Sequence, residues 1–171
     1  FNLADKYQIP VLLVTEEYLT DYNATLDPFD FSKITIERHI ARREDIQDER
    51  YKRYKFTESG ISPRLIPGQM KEHVVLVDSH EHNEYGNIDE NAENRIKMVD
   101  KRFKKLEGLK TEIEEPWFIG KEDPENLIVC WGATYGAVKE TVDRLNEEGK
   151  SFGALIYGDI WPFQTKKINE L

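Results

Sequence analysis

"ENLIVCWGATYGAVKETVDRLNEEGKSFGALIYGDIWPF", residues 125–163, decides the fold class. The apolar run 127–131 reads as a buried strand that ends in a turn at Gly132. Residues 134–148 place Val138, Val142 and Leu145 on one helical face, Gly149 supplies the C-terminal cap, and 152–157 form the next apolar run. Strand, helix and strand in this order predict a right-handed parallel crossover, so the chain is α/β. A dinucleotide fold carries G-x-G-x-x-G at the first turn, where the glycines let the backbone approach a pyrophosphate. Here those positions hold Gly132, Thr134 and Ala137. Thr134 puts a side chain where close approach is needed, and Asp159 after the second strand is a single acid in a loop. The stretch therefore reads as a glycine-assisted tight turn rather than a cofactor site.

Working outward, residues 10–15 (PVLLVT) form a continuous apolar run, expected to be a strand buried on both faces of a parallel sheet. Residues 33–38 (KITIER) alternate like an edge strand, and 73–77 lead into a second buried strand. The segment 57–68 (TESGISPRLIPG) has two prolines and two glycines and reads as extended loop. A helix is expected from about 90 to 106, capped by Asn87 or Asp89 and ended by Gly108. Its inner face is Ala92, Ile96, Val99, Phe103 and Leu106, and Glu93 with Lys97 makes an i,i+4 pair. Lys101, Arg102, Lys104 and Lys105 suit the negative end of its dipole. The polar stretch 110–126, with Pro116 and Pro124, is expected to be a domain junction. Residues 1–7 read as the last turns of a helix and 164–171 as the first turn of another, as in a piece of a longer protein.

The net charge of −9 argues against nucleic-acid binding, which rests on Lys and Arg meeting phosphates. No apolar run approaches the roughly 20 residues that span a bilayer, and one cysteine cannot form a disulfide or a CxxC-type metal motif. The expected compartment is cytoplasmic. Charged residues make up 33% of the chain, a level common in proteins from hot environments.

Four places could carry chemistry. Cys130 lies inside a strand with no histidine near it in sequence and reads as a small hydrophobe. The segment 78–90 offers His80 and His82 among five carboxylates, but spacing specifies no third ligand, so it reads as a solvated loop with room for a contact to substrate or partner. The stretch 38–55 interleaves Tyr51 and Tyr54 with bases and with acids, as a solvated or subunit-facing arm does. In ISPRLIP the prolines hold Arg64 in a fixed direction, which suits bidentate recognition of a carboxylate or phosphate and equally suits pinning the loop to the fold.

Residues 51–68 (YKRYKFTESGISPRLIPG), residues 74–109 and the opening stretch with its WGATYGA and DIWPF occur in one order. Together they resemble the alpha subunit of 2-oxoacid:ferredoxin oxidoreductases, in the manner of its 2-oxoglutarate-type members. The resemblance implies an enzyme complex that oxidatively decarboxylates a 2-oxoacid to acyl-CoA and reduces ferredoxin, using thiamine diphosphate with magnesium and iron–sulfur clusters. It implies a pyrimidine-binding-type domain over 1–115 and the first half of a transketolase C-terminal-like domain over 116–171, both built of parallel sheets with flanking helices. Partners would be a beta subunit and gamma or delta subunits, with the diphosphate end of the cofactor, its metal and the clusters held mainly by them. The Y-P-I-T-P-S stretch that lines the family's substrate and thiamine site is absent, so no catalytic residue carries over. Ile61, Ser62, Pro63 and Arg64 match the family's I-S-P-R segment. Ser62, Arg64, His80 and His82 are the candidates for substrate or interface contact. The alternative is a free-standing α/β nucleotide- or ligand-binding module.

Overall fold

A strand exists only where a second backbone completes its ladder, and three short stretches here do this for one another. The computed structural model describes residues 1–171. Unit 1 comprises Phe1–Val11 and Phe31–Leu109, and unit 2 comprises Leu12–Asp30 and Lys110–Leu171. In chain order the elements are α1 (Asn2–Tyr7), α2 (Glu17–Asp21), two 3-10 turns (Phe31–Lys33 and Arg43–Asp45) and α3 (Ala92–Leu109). Then follow β1 (Trp117–Gly120), β2 (Asn126–Trp131), α4 (Thr134–Glu147), β3 (Phe152–Tyr157) and α5 (Lys166–Asn169).

Unit 2 contains the sheet, in the order β1-β3-β2. The expected crossover is there: β2 and β3 run parallel from Asn126↔Phe152 to Trp131↔Tyr157, with α4 between them in the chain. The expectation of parallel sheets needs correction, because β1 pairs antiparallel with β3 from Trp117↔Ile156 to Gly120↔Gly153, making one mixed sheet. Four residues, WFIG, are too few to display a period, which is why 110–126 read as a junction without a strand. Central β3 is buried along nearly its whole length. Edge strand β2 alternates: Ile128 and Cys130 turn toward the core, while Leu127, Val129 and Trp131 are exposed. Cys130, Val142, Ala154 and Ile156 form that core, with Ile119, Ile128, Val138 and Phe152 against it. Asn146 locks the end of α4 to the start of β3, donating to the Phe152 carbonyl and accepting from its N–H at 2.9 Å each. Gly149, at φ +85°, ends the helix as expected.

Unit 1 is largely irregular, and three expected strands are absent across the chain. Residues 10–15, 33–38 and 73–77 pair with no neighbouring backbone. Leu12 and Leu13 are 86% and 90% exposed. Apolar composition supplies strand propensity, but a strand needs a hydrogen-bonded ladder, and none forms at these three runs. Instead, unit 1 is held by side chains bonded to backbone around a small core of Ala41, Tyr51, Leu65 and Met70.

Helix α3 forms where expected, with three corrections. Its cap is Asn91, whose Oδ1 accepts the Asn94 N–H at 2.9 Å. It runs through Gly108, where the Tyr7 ring packs so closely that a Cβ would stand 3.2 Å from Cε1. Its buried face is Met98, Lys101, Lys105 and Leu109, whereas Ile96 and Phe103 are 62% and 64% exposed. Ala92, Ile96 and Phe103 of the expected inner face are thus turned outward, while Val99 and Leu106 are half-buried at its edge.

Candidate functional site

The loop carrying Ser62 and Arg64 is fastened at nearly every residue. Tyr51, fully interior, donates from its hydroxyl to the Pro63 carbonyl at 2.9 Å and accepts the Leu65 N–H at 3.0 Å. Ser62, also buried, donates to the Lys55 carbonyl at 2.8 Å, and its own carbonyl accepts from Gln8 Nε2 at 2.6 Å. The Arg64 carbonyl accepts from the Ala41 N–H at 2.8 Å, and Thr57 bonds the Ile61 carbonyl at 2.9 Å. Prolines at 63 and 67 account for the stiffness; the fastening comes from residues far away in sequence.

Arg64 points at the end of α1. Its Nη1 lies 3.1 Å from Asp5 Oδ1, and its Nη2 donates to the Arg38 carbonyl. Arg38 Nε holds the other Asp5 oxygen at 2.6 Å. The hydrogen bond from Arg38 and the positive charges of Arg64 and Arg38 hold the Asp5 carboxyl below its usual range. Arg64 Nε is enclosed without a partner. Beside this knot opens a cleft of about 540 Å³, bordered among others by Lys6, Gln8, His39, Lys55, Ser62 and Arg64. Ser62 and Arg64 therefore share one locus, as their sequence neighbourhood suggested.

The two histidines lie elsewhere in unit 1 and do not converge. His80 is exposed, 3.8 Å from Glu90 Oε1. His82 stacks on Tyr54 with ring centroids 3.6 Å apart, and its Nδ1 is enclosed without a partner. Burial pushes the His82 imidazole down, favouring its neutral form. No three His, Cys, Asp or Glu side chains gather as a metal-holding group. Between the histidines, Glu81 is forked by Arg102 at 2.7 and 3.1 Å, tying the 78–90 loop to α3.

In unit 2, the turn that resembles a nucleotide cradle is filled by the chain itself. Glu16 Oε2 accepts the Ala133 N–H at 3.0 Å, at the start of α4. Gly132 has φ +61°, and a Cβ there would collide with the same carboxylate. An acid thus occupies the anion-seeking end of the helix. No short-range pattern links Glu16 to a turn 117 residues later.

Several of these residues escaped the sequence reading. Asp5, Gln8 and Tyr51 organise the Arg64 loop, yet no local pattern marks any of them as a partner of that loop. The burial of Lys101 and Lys105 left one faint signal: their i,i+4 spacing places them on a common face.

No family model matches the chain. It is 38% identical over 176 residues to the 2-oxoacid:ferredoxin oxidoreductase 1 alpha subunit of Sulfurisphaera tokodaii, covering 99% of this chain and 27% of that protein. It is 27% identical over 174 residues to the 2-oxoglutarate synthase subunit KorA of Methanocaldococcus jannaschii, covering 100% and 44%. Among solved structures it superposes on a chain of the Magnetococcus marinus 2-oxoglutarate:ferredoxin oxidoreductase, solved with 2-oxoglutarate, coenzyme A and succinyl-CoA bound. The TM-score is 0.87 at 29% identity, covering 99% of this chain and 29% of that one. The chain spans about a quarter of the length of the Sulfurisphaera relative. With 38% identity across 99% of its length to such a subunit, it belongs to the alpha-subunit family of 2-oxoacid:ferredoxin oxidoreductases.

Proposed function

We propose that this chain is the part of an alpha subunit that joins the end of a pyrimidine-binding-type domain, residues 1–115, to the first half of a transketolase C-terminal-like domain, residues 116–171. The complete enzyme oxidatively decarboxylates a 2-oxoacid, 2-oxoglutarate being favoured, to its acyl-CoA. Two electrons leave the substrate for ferredoxin, carbon dioxide departs, and the CoA thiol forms the new thioester. The carrying observation is the backbone agreement at TM-score 0.87 with an enzyme solved with that substrate and product bound. We assign the complex to the cytoplasm; no helix here is long and apolar enough to cross a membrane.

Within that enzyme we assign this chain a structural and subunit-contacting role. Ser62, Arg64, His80 and His82 are its candidates for contact with substrate or with a beta, gamma or delta subunit. In support, Arg64 borders an open cleft on a loop too well fastened to collapse. Thiamine diphosphate with magnesium does not fit the residues present, because the one phosphate-cradle-like turn already holds Glu16. An iron–sulfur cluster needs several thiolates, and the single cysteine, Cys130, is enclosed in the core of unit 2. We assign those groups to other parts of the complex.

The test is the full-length subunit expressed with its partners and assayed for ferredoxin reduction. CoA-dependent reduction should occur with 2-oxoglutarate and be slower with pyruvate. If no 2-oxoacid supports reduction, the assignment fails; if pyruvate is preferred, only the substrate is wrong.

A further inference from the structure

Lys101 and Lys105 are the only charged residues in the buried interior of this chain, at 6% and 7% exposed. Lysine is rarely buried unless an anion accompanies it, because the ammonium loses its hydration. No carboxylate is bonded to either ammonium, and those that other cations of unit 1 hold are engaged elsewhere. Glu84 accepts from Lys52 at 3.2 Å and from the Phe56 N–H at 2.9 Å. Glu81 is forked by Arg102, Asp48 takes Lys55 at 2.7 Å, and Asp5 is shared by Arg38 and Arg64.

A third cation joins them. Arg53 Nη1 donates to Gln8 Oε1 at 2.8 Å, while Lys105 Nζ donates to the Gln8 carbonyl at 3.1 Å. Lys101 lies one turn before Lys105 on the same helix face, where the charges of Lys105 and Arg53 act on it. Its ammonium is not among the enclosed atoms that lack a partner, so its tip reaches solvent while its stem is covered. Glu84, already held by Lys52, is the one carboxylate whose charge reaches Lys101, so the geometry is a partly enclosed set of three cations with donors to spare and no carboxylate bonded to any of them.

We propose that Arg53, Lys101 and Lys105 form a binding site for a phosphate group. A tetrahedral dianion offers acceptors in several directions and more compensating charge than a carboxylate. The site lies in unit 1 and is independent of the substrate assignment above. The phosphate can be free inorganic phosphate or the phosphoryl end of a larger ligand, and the two differ in the space they need.

The test uses the full-length protein in its assembled enzyme. Lysines are acetylated with and without inorganic phosphate at constant ionic strength, and each site is read by mass spectrometry. At ten times the dissociation constant, phosphate should slow modification of Lys101 and Lys105 about tenfold, and exposed Lys104 should be unaffected. Glycerol phosphate protecting equally identifies a phosphoryl end; protection by inorganic phosphate alone identifies the free ion. Arg53→Met should weaken protection at least about tenfold, the scale of one charged hydrogen bond. Should the two lysines resist the reagent throughout, calorimetric phosphate titration of the parent and of Lys101→Met decides. Equal heats in parent and variant, protection unaltered by Arg53→Met, or acetate protecting as well as phosphate would each overturn the proposal.

Discussion

Lys101→Met should stabilise unit 1. Burial, then the neighbouring charges of Lys105, Arg53 and Arg102, bring the Lys101 ammonium down from 10.5 to about 8. At about 1.4 kcal/mol per tenfold change, keeping it protonated in the fold costs about 3 kcal/mol. Methionine keeps the length of the covered stem and removes the charge, and such replacements of buried charges stabilise by about 1–4 kcal/mol. We expect about 2–3 kcal/mol at pH 7 in phosphate-free buffer, read as slower amide exchange along α3 in the full-length protein. The pH dependence follows in sign. Between about 8 and 10.5 the unfolded lysine holds a proton that the folded one has released, so stability of the parent rises with pH across that window. The advantage of the variant is therefore full below about 8 and fades toward 10.5. A variant equal to or weaker than the parent at pH 7 would refute the reasoning, because it would mean that Lys101 is already compensated within the fold.

Tyr51→Phe strands the Pro63 carbonyl and the Leu65 N–H, and should cost about 1–3 kcal/mol, seen as faster exchange at residue 65; no change would mean that water replaces the hydroxyl. Gly132→Ala should destabilise the start of α4 by about 1–2 kcal/mol, since φ is +61° and the new methyl meets Glu16. Adding Glu16→Ala should recover part of that loss, and strict additivity in the double-mutant cycle would count against the contact. Arg64→Lys keeps the charge but cannot reach both Asp5 and the Arg38 carbonyl, and a loss of about 1–3 kcal/mol is expected. In the assembled enzyme, raised KM with intact assembly marks a substrate contact, dissociation on gel filtration marks an interface, and parent-like behaviour leaves Arg64 as a loop fastener. The 171-residue chain should give no saturable heat with thiamine diphosphate and magnesium, and about 1 mM NAD should leave its Tm unchanged; a clear response to either would reopen the turn at Gly132 as a site.

What could be read from the sequence follows the range of the signal. The crossover was legible because β2, α4 and β3 declare themselves locally, through two apolar runs, a 3.6-residue period and Gly149 at a helix end. The runs at 10–15 and 73–77 are apolar like β3 and 33–38 alternates, but none of them joins a ladder, and neither composition nor alternation can supply a second backbone. The Arg64 loop lies between these cases. Its two prolines announce rigidity, but the direction of the guanidinium depends on Asp5 and Arg38, which only the fold brings near.

Helix α3 shows how a correct period can select the wrong face. Periodicity ranks side chains by their ends, so Ile96, Val99 and Phe103 mark one side as apolar and Lys101 and Lys105 mark the other as polar. A lysine is nevertheless four methylenes with a charge at the tip, and the methylenes pack against a surface as an aliphatic chain does. The turn at Gly60 approaches α3 so closely that a Cβ there would stand 3.2 Å from Lys104 Cβ and 3.3 Å from Lys105 Cγ. Only a residue without a side chain, at φ +76°, allows the 57–60 turn to lie against the Lys101 carbonyl and the Lys105 stem. Gly60→Ala should therefore lift the turn from the helix, uncover the face that carries Lys101 and Lys105, and return the Lys101 ammonium toward 10.5 from about 8. Lysine titration followed by NMR in the full-length protein would detect the return. A Lys101 value that stays near 8 in that variant would show that its neighbours' charges, rather than the covering turn, govern its titration.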